Sequence, residues 1–142
     1  MRKPVLLVTG LLVVAASAAA TSLQSPPPRP SATVLSRTTT TAIGQPVTLP
    51  QGPVEVVVSR VEIPAGAGLP MHKHPWPRFA YVESGRLRVH WEQAGLTREF
   101  GPGDTVVEAI DAWHEGAAIG DAPVRLIVFD QVPPGEANVV PR

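Results

Sequence analysis

Between residues 46 and 132, hydrophobic residues recur in short runs, and several of these runs alternate with polar residues. In 86–91, Leu87, Val89 and Trp91 alternate with polar side chains, which is the period of a β-strand with one buried face. Patterns typical of helices are nearly absent from this region. Further strands are predicted at 54–63, 78–82, 96–100, 105–108, 113–118 and 124–129.

The segments between these runs are rich in residues that favour turns. Residues 83–85, 101–104 and 120–123 each contain glycine, and two of them also contain proline and aspartate. Short strands at this spacing are typical of a β-sandwich or barrel. We therefore predict one small all-β domain over residues 46–132.

The first 20 residues have the pattern of a secretory signal peptide. Arg2 and Lys3 precede an apolar run, and Ala18 and Ala20 satisfy the small-x-small rule for cleavage after Ala20. The alternative is an uncleaved membrane anchor, for which the run is at the short end. We expect export to the periplasm or the exterior, with no membrane domain beyond this segment.

Two further segments have compositions that disfavour regular structure. Residues 21–45 include a proline-rich stretch at 25–30, where proline lacks a backbone donor, and a polar tract at 38–41. We predict a disordered linker over 21–45. The tail, 133–142, is rich in proline and is expected to lie over the surface or to remain loose.

Composition and charge narrow the possible partners. The chain has no cysteine, so it forms no disulfide, which suits an oxidising compartment. Removal of residues 1–20 would leave ten basic and twelve acidic residues, with Lys73 as the remaining lysine. Because no basic patch is present, nucleic acid is not an expected partner.

Three of the four histidines can be combined into one site. His72 and His74 are two residues apart, so on a strand their imidazoles share a face about 7 Å apart. Both can then reach one metal at about 2 Å. His114 begins another predicted strand and can complete a set of three. His90 points away from the apolar face of its strand and is left out.

The surroundings of these histidines follow a known spacing. Five residues separate Gly66 from His72. Three residues separate His74 from position 78, and six separate position 78 from Gly85. This segment resembles the first motif of the cupin superfamily, in which glycine, His-x-His, glutamate and glycine have these spacings. The resemblance implies a small jelly-roll barrel with a metal in its mouth.

The second cupin motif is also present, with substitutions. Gly103 opens it and His114 closes it, but Ala109 and Asp111 occupy the proline and glycine places. The resemblance covers about residues 53–130. It implies that His72, His74 and His114 are metal ligands.

Arg78 stands where the cupin motif has its glutamate. A guanidinium has no lone pair for a metal, so the resemblance carries over three histidines without the usual carboxylate. In one interpretation Arg78 binds a carboxylate of a ligand held at the metal. In another it pairs with an internal acid, for instance Glu108 or Asp111. In a third the site holds no metal.

Three other residues are candidates for this site. Glu108 is in phase with inward-facing Val106 and could supply the missing carboxylate or act as a general base. The simpler interpretation, which we favour, is a rim residue or a partner for Arg78. Trp76 and Trp113 lie next to or near the histidines and are candidates for lining a ligand pocket, together with Arg78.

Two classes of function remain open. Three neutral imidazoles would leave open positions on a divalent ion, which favours anionic or carbonyl ligands. The ion could be zinc, manganese, iron, nickel or copper. The protein is then either an enzyme acting on a small, anionic molecule, with Glu108 and Arg78 as candidate catalytic residues, or a non-catalytic module that binds a metal or ligand. By resemblance alone, a homodimer through the strand at 54–63 is also expected.

Overall fold

The computed structural model describes residues 27 and 29–142. By its internal contacts the chain divides into two units, 1–32 and 33–142. In the first unit the described residues, 27 and 29–32, are exposed and have no regular secondary structure. The predicted signal peptide, 1–20, and the first residues of the predicted linker lie outside the described residues.

The second unit consists of strands joined by turns. In the described part of the chain there is no helix, and therefore none long and apolar enough to cross a membrane. The strands are β1 (Glu55–Ile63), β2 (Gly68–Lys73), β3 (Arg78–Ser84), β4 (Leu87–Trp91), β5 (Leu96–Phe100), β6 (Thr105–Val107), β7 (His114–Ala118), β8 (Val124–Val132) and β9 (Val140–Pro141).

These strands form two antiparallel sheets. The four-stranded sheet has the order β1-β8-β3-β6, and the five-stranded sheet has the order β5-β4-β7-β2-β9. Consecutive strands often change sheet, as β3 and β4 do, so the chain repeatedly crosses between the two layers. This all-β arrangement confirms the predicted fold class and is consistent with a cupin jelly roll.

The core lies between the inner faces of the two sheets. Burial alternates strictly along β8 and β4, as the period of two predicted from the sequence requires. Val82 from the four-stranded sheet and Trp91 from the five-stranded sheet are both fully buried. The apolar interior stabilises the fold, and among the described residues the buried polar or charged side chains are Thr41, His72, His74, Glu108, His114, Asp130 and Asn138.

Two turns of the cupin motifs have left-handed backbone. Gly85 has a φ of 80°, and a Cβ at this position would lie 2.4 Å from the carbonyl oxygen of Pro123. Only glycine fits such an approach. Asp111, in the glycine place of the second motif, has a φ of 55°, which aspartate tolerates better than most residues. The substituted motif thus keeps the backbone turn that it normally makes with glycine.

The ordered domain begins before the predicted boundary at residue 46. Thr40 forms a bridge with Pro46, and the amide of Ala42 donates a 2.8 Å hydrogen bond to the carbonyl of Val107. The side chain of Gln45 binds both the amide and the carbonyl of Ile110 at 2.9 Å. The prediction of disorder up to residue 45 is therefore wrong for 40–45, because these residues cover the edge of β6.

The C-terminal segment is also part of the domain. β9 pairs with β2, opposite His72 and Lys73. Asn138 is buried, with 7% of its surface exposed. The prediction of a loose tail is therefore wrong for 138–141, which is held by backbone pairing and by the hydrogen bonds of Asn138, although Val139 and Pro141 are exposed at the surface.

Candidate metal centre

The three histidines of the cupin motifs lie together inside the barrel. His72 in β2 is directly opposite His114, the first residue of β7, and His74 follows β2 and bridges to Ile110. The ring centroids are 4.4 to 4.9 Å apart. All three side chains are buried, and their candidate ligand atoms lie within 4.8 Å of one another.

Each imidazole is held by a backbone carbonyl. The Nδ1 atoms of His72, His74 and His114 lie 2.7, 2.6 and 2.9 Å from carbonyl oxygens, which belong to Pro70, Asn138 and Ala112. A carbonyl oxygen can only accept a hydrogen bond, so each Nδ1 carries the proton. The lone pair of each neutral ring is therefore on Nε2, and the buried Nε2 of His114 has no hydrogen-bond partner.

Burial keeps these rings neutral. Burial, and next the nearby Arg78 cation, lowers the pKa of His74 to about 2. Burial is also the main cause that lowers the pKa of His72 and of His114. Metal ions bind the neutral imidazole, so protons do not compete strongly for this site near neutral pH.

The three nitrogens fit a divalent metal ion. Imidazole suits zinc, copper, iron and nickel, and a carbonyl bonded to the opposite ring nitrogen is the usual partner of a metal-binding histidine. Three protein nitrogens also leave open positions for further ligands, which is the feature that separates catalytic metal sites from closed structural ones.

Arg78 is paired with an acid that the sequence analysis did not name. Its Nε and Nη2 donate to the two carboxylate oxygens of Asp130 at 2.7 and 2.8 Å, and both side chains are largely buried. The expected partners, Glu108 and Asp111, are wrong: Asp111 instead pairs with Lys73 near the surface. The interpretation of Arg78 as structurally paired with an internal acid is the one that the geometry supports.

A hydrogen-bonded chain connects this ion pair to the histidines. Asn138 donates from Nδ2 to Asp130 at 2.6 Å, and its Oδ1 accepts from the amide of Trp76 at 2.9 Å. The carbonyl of the same Asn138 accepts from Nδ1 of His74. No spacing in the sequence indicates that Asp130 faces Arg78 across the neighbouring strands, or that the C-terminal segment with Asn138 reaches the histidines, so neither residue was predicted for the site.

Glu108 points into the barrel next to the histidines. Only 8% of its surface is exposed, and its Oε2 has no hydrogen-bond partner and lies 3.7 Å from Nε2 of His114. Burial is the main cause that raises the pKa of this carboxyl to about 7. The interpretation of Glu108 as a rim residue is therefore wrong, whereas the charge of Arg78 does act on it and lowers the carboxyl pKa against the effect of burial.

The histidines line a cavity of about 40 Å³. Arg78 and Glu108 line its polar side, and the remaining lining residues are apolar apart from the histidines: Val61, Leu69, Ala80, Leu87, Val89, Gly116, Leu126 and Val128. This volume corresponds to a few water molecules.

The two tryptophans predicted to line a pocket do not line this cavity. The ring of Trp113 packs on the outside, 5.2 Å from Nζ of Lys73 and 5.6 Å from the guanidinium carbon of Arg142. Trp76 contributes its backbone amide to Asn138 instead. Trp91, which the sequence analysis did not prefer, is fully buried with its ring 6.3 Å from that of His114.

His90 lies on the outside of its strand, as its phase predicted. Its Nδ1 is 2.9 Å from the hydroxyl of Thr97 on the neighbouring strand. The exclusion of His90 from the histidine cluster is confirmed.

Residues 59–130 match the cupin domain family, and the chain belongs to this family. The fold and the histidine cluster agree with that assignment. A comparison with curated proteins gave no match.

Several solved structures are similar. The DMSP lyase DddQ from Ruegeria pomeroyi is 26% identical, with 61% of this chain and 42% of that chain covered and a TM-score of 0.53. The oxalate decarboxylase of Lactobacillus farciminis, in a formate complex, is 28% identical over 61% of this chain and 26% of that one, with a TM-score of 0.53. The chain therefore spans less than half the length of either protein. The polyketide cyclase RemF from Streptomyces resistomycificus, 22% identical with a TM-score of 0.51 and 60% of each chain covered, shares the fold.

Proposed function

We propose that this protein is an exported cupin that holds one divalent metal ion on His72, His74 and His114 and binds a small anionic molecule at the open metal positions. The observation that carries the proposal is the arrangement of the three rings. Each has its Nδ1 proton bound to a carbonyl, so all three lone pairs are available on the buried side. Three neighbouring imidazole nitrogens with available lone pairs are a ligand set that divalent metal ions use in proteins.

The cavity supports a ligand of very few atoms. With a volume of about 40 Å³, it accommodates a small anion or the carboxylate end of a longer molecule. Three neutral imidazoles leave the full charge of the ion in place, and this charge favours an anion. The oxalate decarboxylase to which this chain is similar has been solved with formate, an anion of this size.

One observation favours a second function, a non-catalytic module that captures a metal ion or small ligand. Asp130 takes two of the five N–H donors of Arg78 and offsets its charge, so Arg78 attracts an anionic substrate less strongly than an unpaired arginine would. The buried Glu108 favours the enzyme, since it is an unpartnered carboxyl beside the site. Turnover of small carboxylates by the metal-loaded protein separates the two functions: binding without turnover supports the module.

Elemental analysis of the purified protein tests the metal site. The wild-type protein is expected to contain about one equivalent of a divalent metal, and His72→Ala is expected to lose it, because two imidazoles hold an ion much more weakly than three. His90→Ala is the matched control, since His90 lies outside the cluster and its loss leaves the metal content unchanged. If wild-type protein dialysed against zinc, manganese, iron(II), nickel and copper holds none of them, the proposal fails.

Export is proposed from the first 20 residues alone. The signal-like pattern predicts a mature chain that begins at Thr21 and is found in the periplasm or the medium. Cell fractionation and the intact mass of the recovered protein test this. A chain that keeps residues 1–20 in the membrane fraction supports the uncleaved anchor instead.

The homodimer is proposed on the outer face of the four-stranded sheet. Val58, Phe129, Phe79 and Val107 are paired in register as one apolar row across all four strands, and Val58 and Phe129 are 58% and 40% exposed. β1 is the edge of this sheet and can also pair with its own copy. Light scattering is expected to give a dimer for the wild type and a monomer for Val58→Lys. A monomeric wild type contradicts this.

A further inference from the structure

Two buried atoms of the barrel face each other without a hydrogen bond. They are Oε2 of Glu108 and Nε2 of His114, 3.7 Å apart, and neither has a partner. Unpaired buried polar atoms are costly, and native proteins rarely keep two of them side by side. The Nε2 carries a lone pair, as the bond from its Nδ1 to Ala112 requires. If Glu108 is ionised, its Oε2 and the Nε2 of His114 are therefore both hydrogen-bond acceptors, and no proton lies between them.

The distance between these atoms suits two ligands of one ion. A separation of 3.7 Å is too long for a hydrogen bond. Two ligands that each lie about 2.0–2.2 Å from a metal ion are separated by about 3 to 4 Å when they are neighbours in its coordination shell. A cation between Glu108 and His114 would satisfy both orphaned atoms at once.

The arginine in the glutamate place of the motif does not prevent this. Arg78 pairs with Asp130, which accepts from two of its five N–H donors and offsets its charge. Asp130 and Arg78 lie in the four-stranded sheet, and Glu108 directly follows β6 of the same sheet. Of these two carboxyls, only that of Glu108, beside the histidines, is not hydrogen-bonded to a cation.

We propose that Glu108 is the fourth protein ligand of the metal. A carboxylate in the second motif would then replace the glutamate of the first motif, whose position Arg78 occupies. This proposal rests on the three-histidine metal site proposed above. The three histidine nitrogens already lie within 4.8 Å of one another, and Glu108 is outside that set. The carboxylate oxygen that already lies 3.7 Å from Nε2 of His114 is the one that would bind the ion. The complete site is then three histidines and one carboxylate, with a net charge of one when it holds a divalent ion.

The experiment compares metal binding by four proteins: wild type, Glu108→Gln, Glu108→Asp and Glu115→Gln. Glu115 is the matched control, because it follows His114 on β7 but is exposed on the outside. Zinc affinity is measured by competition with a chelator, and cobalt(II) is used as a spectroscopic probe of the coordination shell. Glu108→Gln is expected to weaken zinc binding by about 100-fold or more, beyond the range of about 10–100-fold typical of a residue that only orients a ligand. Its cobalt(II) absorption is expected to shift in position and intensity.

Glu108→Asp, which keeps the charge, is expected to recover part of the affinity and the cobalt(II) spectrum, while Glu115→Gln matches the wild type. If Glu108→Gln binds zinc as tightly as the wild type and gives the same cobalt(II) spectrum, Glu108 is not a ligand and the inference is overturned. That outcome leaves the three-histidine site intact. If the wild type itself binds neither ion, the proposed function fails first. Thermal unfolding of the metal-free variants shows that each is folded before binding is compared.

Discussion

The two sheets contribute opposite kinds of polar group to the barrel mouth. The five-stranded sheet presents His72 and His114, with His74 directly after β2, and each ring has one nitrogen bonded to a carbonyl and the other free. The four-stranded sheet presents Arg78 and Asp130, whose charges satisfy each other through two hydrogen bonds. One sheet thus offers unused lone pairs to the cavity, whereas the other has mostly neutralised its own charges.

The pairing within the four-stranded sheet explains how a cupin can carry an arginine at the glutamate place of its motif. A lone guanidinium beside three metal-binding imidazoles would repel the ion. Asp130 offsets that charge within the four-stranded sheet, and Asn138 ties Asp130 to His74 in turn. The substitution at position 78 is therefore understood only together with two residues far away in the sequence.

Breaking the ion pair is expected to have the largest effect on the fold. Asp130→Asn keeps the shape of the side chain but leaves Arg78 buried without a counter-charge, so we expect a loss of about 3–5 kcal/mol in the free energy of unfolding. The double variant Arg78→Met with Asp130→Asn removes both charges and is expected to regain most of that loss. Urea unfolding of the metal-free proteins measures both.

The exposed pair between Glu62 and Arg125 on the same sheet is the control. These side chains are 3.0 Å apart but about half exposed, so Glu62→Gln is expected to cost less than about 1 kcal/mol. Equal losses for Asp130→Asn and Glu62→Gln would show that burial does not distinguish the two pairs. If the double variant is no more stable than Asp130→Asn alone, the unpaired charge of Arg78 is not the cause of the lost stability.

The sequence predicted the parts of this comparison that depend on local pattern. The hydrophobic pattern predicted seven of the nine strands, all except β2 and β9, and the two-residue spacing of His72 and His74 predicted that they share a face, to which the motif spacing added His114. The pairing of Arg78 with Asp130 joins residues 52 positions apart. No local pattern specifies such a contact, and it depends on which strands become neighbours. Asn138 was missed for the same reason, since its surroundings look like a loose tail and its order comes from hydrogen bonds to distant residues.

Loosening the link between the sheets is expected to have the next largest effect, on metal binding. Asn138→Ala removes the hydrogen bonds that fix the C-terminal segment, so the carbonyl that orients His74 loses its anchor. Zinc affinity is expected to fall by about 10–100-fold, as for other residues that orient a metal ligand. Chelator competition measures it. Glu136→Ala, exposed in the same segment, is expected to leave zinc affinity unchanged, and a similar loss in both variants would point to general disorder of the segment instead.

On acidification, the histidines of the five-stranded sheet and Glu108 beside the four-stranded sheet are expected to change the free energy of unfolding of the metal-free protein in opposite directions. The pKa of His74 is lowered to about 2, chiefly by burial, and burial also lowers the pKa of His72 and His114. Below pH of about 6.5 the unfolded chain therefore binds protons that the folded chain refuses, and the free energy of unfolding falls as the pH falls. Glu108 acts in the opposite direction, because burial raises its pKa to about 7 and the folded chain keeps a proton that the unfolded chain releases.

Three histidines outweigh one carboxyl, so the wild type is expected to lose stability between pH 6.5 and 4.5, the ordinary values of the two kinds of group. Glu108→Gln removes the opposing contribution and is expected to steepen this loss by up to about 1.4 kcal/mol per pH unit. Urea unfolding at several pH values measures both slopes. A wild-type stability that rises on acidification, or a slope that Glu108→Gln leaves unchanged, would contradict the assignment of these groups.

The smallest effect is expected outside the barrel, at Trp113. Its ring lies against the cations of Lys73 and Arg142, and it does not line the cavity. Trp113→Leu is therefore expected to cost about 0.5–1 kcal/mol of stability, the size of an exposed cation–π contact, and to leave zinc affinity unchanged. Trp113 and His114 are neighbours in the chain, but their side chains point to the outside and the inside of the barrel. The variant therefore tests whether a residue next to a ligand in sequence affects zinc affinity from the outer face. A marked loss of zinc affinity would show that the outer face of the five-stranded sheet also orients the ligands, which would contradict the assignment of that role to the residues inside the barrel.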